Sequence, residues 1–245
     1  MSNNKRFQVN SKKDYLIYLR MIIIQGQKLL NTYQKYLKDL KETVQFHNLF
    51  EEPNNKINAA VYEENNDKIQ FIEHKLLNLF GDMQNDSISY NKFKRRLVKR
   101  NIEVKEIIGS LPNELSEMLN VMNTSRNWGL HEPESLLIAH LENIKKQWSK
   151  EEVENYLNDF QKIHIPFFDK YEGKWLISLY ESCNTNYEFY TSLFEYILDD
   201  YKVLLGETSE FEIIYNNYEL RDFEKEIVLS KTSFEIQNGK YKGAN

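Results

Sequence analysis

Residues 11–46 read SKKDYLIYLRMIIIQGQKLLNTYQKYLKDLKETVQF, and this stretch decides the fold class of the chain. Ser11 has Asp14 three positions after it, which is a pattern typical of a helix N-cap. Apolar side chains then recur every three or four residues, the spacing of one face of an α-helix. They are Leu16, Leu19, Ile23, Leu30, Tyr33, Leu37, Leu40 and Val44. The stretch predicts one long amphipathic helix, interrupted only by Gly26.

The same spacing continues through most of the chain and predicts further helices. A second pattern ends at Gly81, which we place at a helix C-cap, and we expect this helix to pack antiparallel on the first. Ser149 and Glu152 form a capping-box pattern before a later helix. The segment 102–108 either continues the helix before it or forms another turn. The other predicted helices cover about residues 57–80, 89–100, 113–126, 134–148, 150–160, 175–179 and 189–204.

Glycine and proline are scarce in this chain. Eight Gly and four Pro among 245 residues leave little material for the tight turns of β-sandwiches and β-barrels. We therefore predict an all-α fold, a multi-helix up-down bundle with a core over residues 11–150 and a helical extension over residues 151–245. A single domain that includes both parts stays open. Residues 207–230 are expected to form irregular helix, and residues 232–245 are compatible with a strand, an arm or disorder.

The apolar runs and the cysteine content bear on the compartment. The longest uninterrupted aliphatic run near the start is Met21 to Ile24, bounded by Arg20 and Gln25, so we predict neither a membrane span nor a signal peptide. Cys183 is the single cysteine and has no partner for a disulfide within the chain, in keeping with a reducing compartment. We expect a cytoplasmic protein.

Residues 123–131 read NTSRNWGLH and lie at the junction between two predicted helices. Asn127 directly follows Arg126, and four residues separate Arg126 from His131. This arrangement resembles the defining motif of the HEPN superfamily, in which an arginine, usually followed by Asn, Asp or His, precedes a histidine at such a distance. The resemblance covers the motif and its helical context, residues 11–150, and it implies a bundle of HEPN type.

These residue types suit the cleavage of an RNA phosphodiester by its own 2′-hydroxyl, which needs proton transfer and stabilisation of a negatively charged transition state. His131 is the candidate for proton transfer, because the ordinary pKa of histidine lies near neutral pH. Arg126 presents a permanently charged planar group that holds two phosphate oxygens at once. Asn127 orients the phosphate or its neighbour, as the resemblance implies. Such a reaction needs neither a metal nor a cofactor.

The resemblance also implies partners and a role. HEPN enzymes typically act as dimers in which two motifs face each other, so we predict a homodimer. The usual role of such nucleases is that of a toxin or an abortive-infection protein in antiviral defence, with an antitoxin or another inhibitor protein as a partner. HEPN toxins silenced by nucleotidyltransferase antitoxins carry a tyrosine two residues after the histidine. Pro133 occupies that place here, which excludes silencing by tyrosine nucleotidylation at this position.

The net charge of −5 argues against a general nucleic-acid coat protein, but the charge is unevenly distributed. A basic run lies between Lys92 and Lys105, close in sequence to the motif, whereas the C-terminal third is acidic. Five basic residues of this run are candidates for contacts with the RNA backbone. They are Lys94, Arg95, Arg96, Lys99 and Arg100. A solvated helix face is the alternative interpretation of the same run.

Other interpretations of the motif remain open. Arg126 and Asn127 are compatible with a plain helix end, with His131 hydrogen-bonded to backbone groups nearby. A non-catalytic helical protein that binds a nucleotide, an RNA or a protein is the corresponding alternative function. The acidic residues and histidines near the motif lack the spacing of a zinc site, and we find no phosphate-binding glycine loop and no nucleophile elbow in the sequence.

Overall fold

The structure is a computed structural model that describes residues 7–85, 87–130, 134–147, 149–158, 160–161, 168–206 and 210–216. Over these ranges the chain forms eight α-helices and one two-stranded ribbon, which confirms the all-α prediction. The elements are α1 (Lys12–Phe46), β1 (Lys56–Asn58), α2 (Ala59–Gly81), α3 (Tyr90–Lys92), α4 (Ile102–Ile108), α5 (Asn113–Leu130), α6 (Glu134–Gln147), α7 (Lys150–Asn158), β2 (Lys170–Glu172) and α8 (Gly173–Leu205).

The first helix begins and ends where its sequence predicts. The Ser11 hydroxyl accepts a hydrogen bond from the Asp14 backbone N–H at 3.4 Å, and the Asp14 carboxylate accepts one from the Ser11 N–H at 2.8 Å. This capping box satisfies two N–H groups that the first helical turn leaves without partners. The predicted apolar stripe lies in the core, apart from Leu16, which is partly buried against it.

Helices α1 and α2 pack antiparallel, as predicted. The Tyr33 hydroxyl donates to the Glu73 carboxylate at 2.7 Å, whereas the earlier residue Gly26 lies beside the later residue Phe80.

The prediction for the end of α2 was wrong by one residue. Gly81 is the last helical residue, and the C-cap is Asp82, whose backbone is extended.

Helix α5 explains the glycine at the end of α2. A Cβ atom at Gly81 would lie 2.8 Å from the carbonyl carbon and oxygen of Met122 in α5. Such a distance is far inside ordinary contact, so a glycine is needed for the two helices to approach this closely. Gly81 therefore determines how near α5 lies to α2.

The two aromatic-rich helices predicted after residue 170 are one helix, and this prediction was wrong. Helix α8 runs without a break for 33 residues. Residues 180–188 contain neither Gly nor Pro, so their polar character does not interrupt it. Its middle lies against α1, where the Tyr187 ring stacks on Tyr33 at 5.6 Å and Gly26 leaves room for Phe194.

Helix α8 shares one hydrophobic core with α1, α2 and α5. It belongs to the segment that we assigned to an extension, yet its buried residues contact the same cluster as those of α1. Helices α6 and α7 pack against each other, and their described residues add nothing to that cluster. The packing thus sets α6 and α7 apart from the helices of the bundle.

The basic segment after α2 is not the regular helix that we predicted. Helix α3 continues into a π-helical turn at Phe93–Leu97 and a 3₁₀ turn at Val98–Arg100. One of the basic residues of this segment, Lys94, is buried. The wide π turn places Lys94 beside Phe93 on the buried side, where its ammonium group meets Asp200 of α8.

The ribbon and the last described segment lie at the edges of the bundle. Strands β1 and β2 pair antiparallel with Ile57 opposite Tyr171. Residues 210–216 have no helix, contrary to the prediction, and Phe211 packs edge-on against Tyr201 of α8 with ring centroids 5.1 Å apart. Predictions for residues 207–209 and 217–245 lie outside the described residues. No helix in the described part of the chain is both long and apolar enough to cross a membrane.

Candidate active site at the end of α5

Helix α5 carries Arg126 and Asn127 on its last turns. Its earlier turns bury Leu115, Leu119 and Met122 in the core, as the apolar stripe predicts. This packing against α2 fixes the rotation of the helix and brings Arg126 to the end of α2. Asn127 is exposed.

The guanidinium of Arg126 is held by Asn78 of α2, by the C-cap residue Asp82 and by its neighbour Asn127. Its Nε donates to the Asn78 side-chain oxygen at 3.2 Å, and its Nη2 lies 3.6 Å from the Asp82 carboxylate. Its Nη1 donates to the side-chain oxygen of Asn127 at 3.3 Å. The Arg126 side chain is 12% exposed and that of Asp82 is 8% exposed, so water screens this ion pair little. The structure thus brings together Arg126 and Asn127.

His131 lies outside the described residues, as do Glu132 and Pro133. In the sequence, His131 directly follows Leu130, the last residue of α5. Across the residues whose placement is described, no three His, Cys, Asp or Glu side chains gather into a group that could hold a metal ion.

The segment after α2 is fixed by buried hydrogen bonds, and these in turn fix Asp82. The Ser89 hydroxyl donates to the Asp82 carbonyl oxygen, and the Ser89 N–H donates to the Tyr18 hydroxyl at 2.9 Å. Asn91 donates from its amide to the Gly81 carbonyl at 3.0 Å. Burial raises the pKa of Tyr18 to about 12, so this hydroxyl stays protonated at neutral pH. The partner of Arg126 is therefore held in place independently of Arg126.

A groove between α1 and α2 opens beside this cluster. It has a volume of about 400 Å³, and Asn78 and Asp82 form part of its wall. Lys28 of α1 and Lys75 of α2 also line it, with Leu29 and Leu79 as apolar neighbours. Among the described residues at this groove, two lysines and the neighbouring Arg126 outnumber the carboxylate of Asp82. The groove is therefore positively charged, which suits a phosphate-bearing ligand.

Sequence reasoning did not find Lys28, Lys75, Asn78 and Asp82 as residues around one groove. Asn78 and Asp82 lie 48 and 44 positions from Arg126, and Lys28 lies on a different helix from Lys75. No local motif connects these positions, because the packing of α1, α2 and α5 is what brings them together. The spacing of Lys75, Asn78 and Asp82, three and four residues apart, is the one signal that they share a helix face.

The predicted RNA-contacting residues divide into two groups. Two of them are used within the fold: the Lys94 ammonium lies 3.0 Å from Asp200, and the Arg95 guanidinium donates to the Ser116 carbonyl at 3.0 Å and to Asn120 at 2.8 Å. The Lys94 side chain is only 3% exposed. The other three side chains are exposed. They are Arg96, Lys99 and Arg100.

No family model matches the chain, and neither a curated protein nor a solved structure matches it. The resemblance of residues 126–131 to the HEPN motif therefore stays a prediction from the sequence.

Proposed function

We propose that this protein is a metal-independent endoribonuclease of the HEPN type. The observation that carries the proposal is the pairing of Arg126 with Asn127 on the last turns of α5, beside a positively charged groove and separated from His131 by three residues in sequence. In the proposed reaction the 2′-hydroxyl attacks the adjacent phosphorus and the bond to the 5′-oxygen breaks. The products carry a 2′,3′-cyclic phosphate and a 5′-hydroxyl.

Each proposed catalytic residue has one role. His131 moves a proton between the reacting oxygens and solvent, which imidazole does well near neutral pH. Arg126 binds the scissile phosphate and stabilises the charge that develops on it. Arginine has five N–H donors, and the described hydrogen bonds to Asn78 and Asn127 use two of them, while Nη2 lies 3.6 Å from the Asp82 carboxylate in an ion pair. The proposed contacts with phosphate oxygens use the N–H donors of the two terminal nitrogens that these hydrogen bonds leave over.

The proposal extends to assembly and biological role. A homodimer would bring two copies of the motif to one RNA linkage, and a toxin or abortive-infection effector restrained by an inhibitor protein is the proposed role. The mass of the purified chain in solution tests the dimer. A strictly monomeric protein that still cleaves RNA would contradict the dimeric site.

Cleavage of RNA by the purified chain in excess chelator tests the nuclease proposal. His131→Ala is expected to lower the rate at least about 100-fold, the usual contribution of a general acid or base. His74→Ala is the matched control, because it removes an imidazole from the middle of α2. Replacing the 2′-hydroxyl at the cleaved position by hydrogen should abolish cleavage. Equal rates for the parent, His131→Ala and Arg126→Ala would refute the proposal.

The Arg126–Asp82 ion pair favours a second candidate, a non-catalytic helical protein that binds a nucleotide, an RNA or a protein. A guanidinium that is 12% exposed and hydrogen-bonded to α2 also fits a purely structural role. The two candidates differ in the expected effect of Arg126→Ala. If Arg126 has a purely structural role, Arg126→Ala changes the free energy of unfolding, and the parent protein cleaves no RNA. If Arg126 is catalytic, Arg126→Ala lowers the cleavage rate at temperatures where the variant is folded.

A further inference from the structure

A second positively charged cavity lies beside the segment that follows α2. It has a volume of about 530 Å³ and lies between the segment before α1, Asn85 and the turns at 92–101. Lys92, Arg96 and Arg100 line it, and none of its described lining residues is acidic. Asp86, which is adjacent to Asn85 in sequence, lies outside the described residues. Three cationic side chains at one cavity stand out in a chain whose net charge is −5.

The two arginines of this cavity are placed to bind a ligand. The Arg96 Nη1 donates to the Asn85 side-chain oxygen at 2.9 Å, and this contact orients the guanidinium. Arg96 and Arg100 are both exposed, in contrast to Lys94 and Arg95 of the same run. An exposed guanidinium is well suited to the oxygens of a phosphate group.

The cavity walls are held in place by polar contacts across the fold. The Asn101 side-chain amide donates to the Asn10 carbonyl at 3.3 Å and thereby joins the segment before α1 to the start of α4. The Tyr15 hydroxyl donates to the Leu97 carbonyl at 2.7 Å, which satisfies a carbonyl in the irregular turns between Arg96 and Arg100. The π and 3₁₀ turns are therefore held against α1 in this geometry.

This cavity also lies close to the candidate active site. Asn85 holds Arg96, and Asp82, three residues earlier in the same segment, pairs with Arg126. Three residues span at most about 11 Å between Cα atoms. Asp82 and Asn85, which contact the two guanidinium groups, are therefore close together. A single extended nucleic-acid strand is long enough to reach both guanidinium groups.

We infer that the cavity lined by Arg96 and Arg100 is a binding site for phosphate groups, separate from the proposed catalytic centre. The phosphates belong either to the backbone of an RNA strand or to a free nucleotide, since both present the same oxygens. The assignment to RNA rests on the proposed nuclease function. The assignment as a phosphate site rests on the cavity and its charges alone.

Fluorescence anisotropy with a labelled 2′-O-methyl oligonucleotide tests the RNA source, because this probe has no 2′-hydroxyl and is not cleaved. Arg96→Ala and Arg100→Ala are each expected to weaken binding about tenfold and to lower the dependence of log K on log salt by about one. Lys105→Ala is the matched control, since Lys105 is exposed on the neighbouring helix α4 but does not line the cavity. It should change binding less than threefold.

Calorimetry with inorganic phosphate and adenosine 5′-monophosphate tests the other source. Binding of either that is lost in Arg96→Ala, without binding of the oligonucleotide, would support a phosphate site for a small nucleotide. Equal binding by the parent and both arginine variants, or an equal loss in Lys105→Ala, would overturn the inference. A chain that binds the oligonucleotide at this cavity and cleaves no RNA would keep the inference and refute the nuclease. RNA cleavage by a chain whose oligonucleotide binding is unchanged in Arg96→Ala and Arg100→Ala would refute the inference and keep the nuclease proposal.

Discussion

Replacing Lys94 by methionine removes one charge of a buried ion pair and keeps an unbranched side chain that is one heavy atom shorter. The Lys94 ammonium lies 3.0 Å from the Asp200 carboxylate, whose other close partner is the Tyr90 hydroxyl at 2.7 Å. Removing one partner of a buried pair typically costs 3–5 kcal/mol, and the Tyr90 hydrogen bond places this case near the lower end, at about 3 kcal/mol. For a chain of this size that loss lowers Tm by about 6–12 °C.

The loss is expected to depend on pH. Burial raises the pKa of Asp200 above its ordinary value of 3.8, with Lys94 acting in the opposite direction. Without Lys94 the pKa rises further. Between the ordinary and the raised value, the folded state binds a proton that the unfolded state releases, so stability increases as the pH falls. The deficit of Lys94→Met should therefore shrink between pH 8 and pH 5.

Thermal and urea unfolding, followed by circular dichroism from pH 5 to pH 8, measure both effects. The double variant Lys94→Met/Asp200→Asn should recover part of the loss at pH 8, because no uncompensated charge stays buried. Lys99→Met is the control, and as an exposed substitution it should change stability by less than about 0.5 kcal/mol. A Lys94→Met protein as stable as the parent at pH 8 would show that this reasoning about the ion pair is wrong.

Three further outcomes are expected. Gly81→Ala should lower the free energy of unfolding in urea by about 1–3 kcal/mol, because the new methyl group meets the Met122 main chain at 2.8 Å; unchanged stability would mean that α5 moves away without cost. Asp82→Asn should cleave RNA at the same rate as the parent or faster at a temperature where the variant is folded, because the Asp82 carboxylate no longer competes with phosphate for Arg126. A 100-fold loss of the cleavage rate would contradict this reasoning. The Cys183 thiol, whose pKa burial raises to about 12, should resist a thiol reagent at pH 8 in the native protein and react in denaturant; rapid native labelling would contradict its burial.

Helix boundaries that depend on neighbouring residues were predicted well. The Ser11–Asp14 pair begins α1, and the Ser149 and Glu152 side chains make reciprocal hydrogen bonds with each other's backbone N–H groups at the start of α7. Capping interactions span three residues, so the sequence pattern contains all that is needed to form them.

Features that depend on distant residues were predicted poorly. Nothing in the sequence around Lys94 indicates that its partner is a carboxylate on α8. The π turn that places this lysine on the buried side lies where the segment packs between α1 and α8. The continuity of α8 was missed for a related reason. Its polar middle is stabilised by Tyr33 and Glu73 from other helices.

The sequence by itself determined the all-α class, the ends of the capped helices, the apolar stripes and the Arg126–Asn127–His131 motif, because each depends on residues within a few turns of one another. Tertiary packing alone decided that Asn78 and Asp82 hold Arg126, that Lys94 is buried, and that Arg96 and Arg100 line a cavity. These outcomes join residues that are far apart in the chain. They follow from how closely whole helices approach, as Gly81 allows α5 to approach α2, and local periodicity contains no information about that distance.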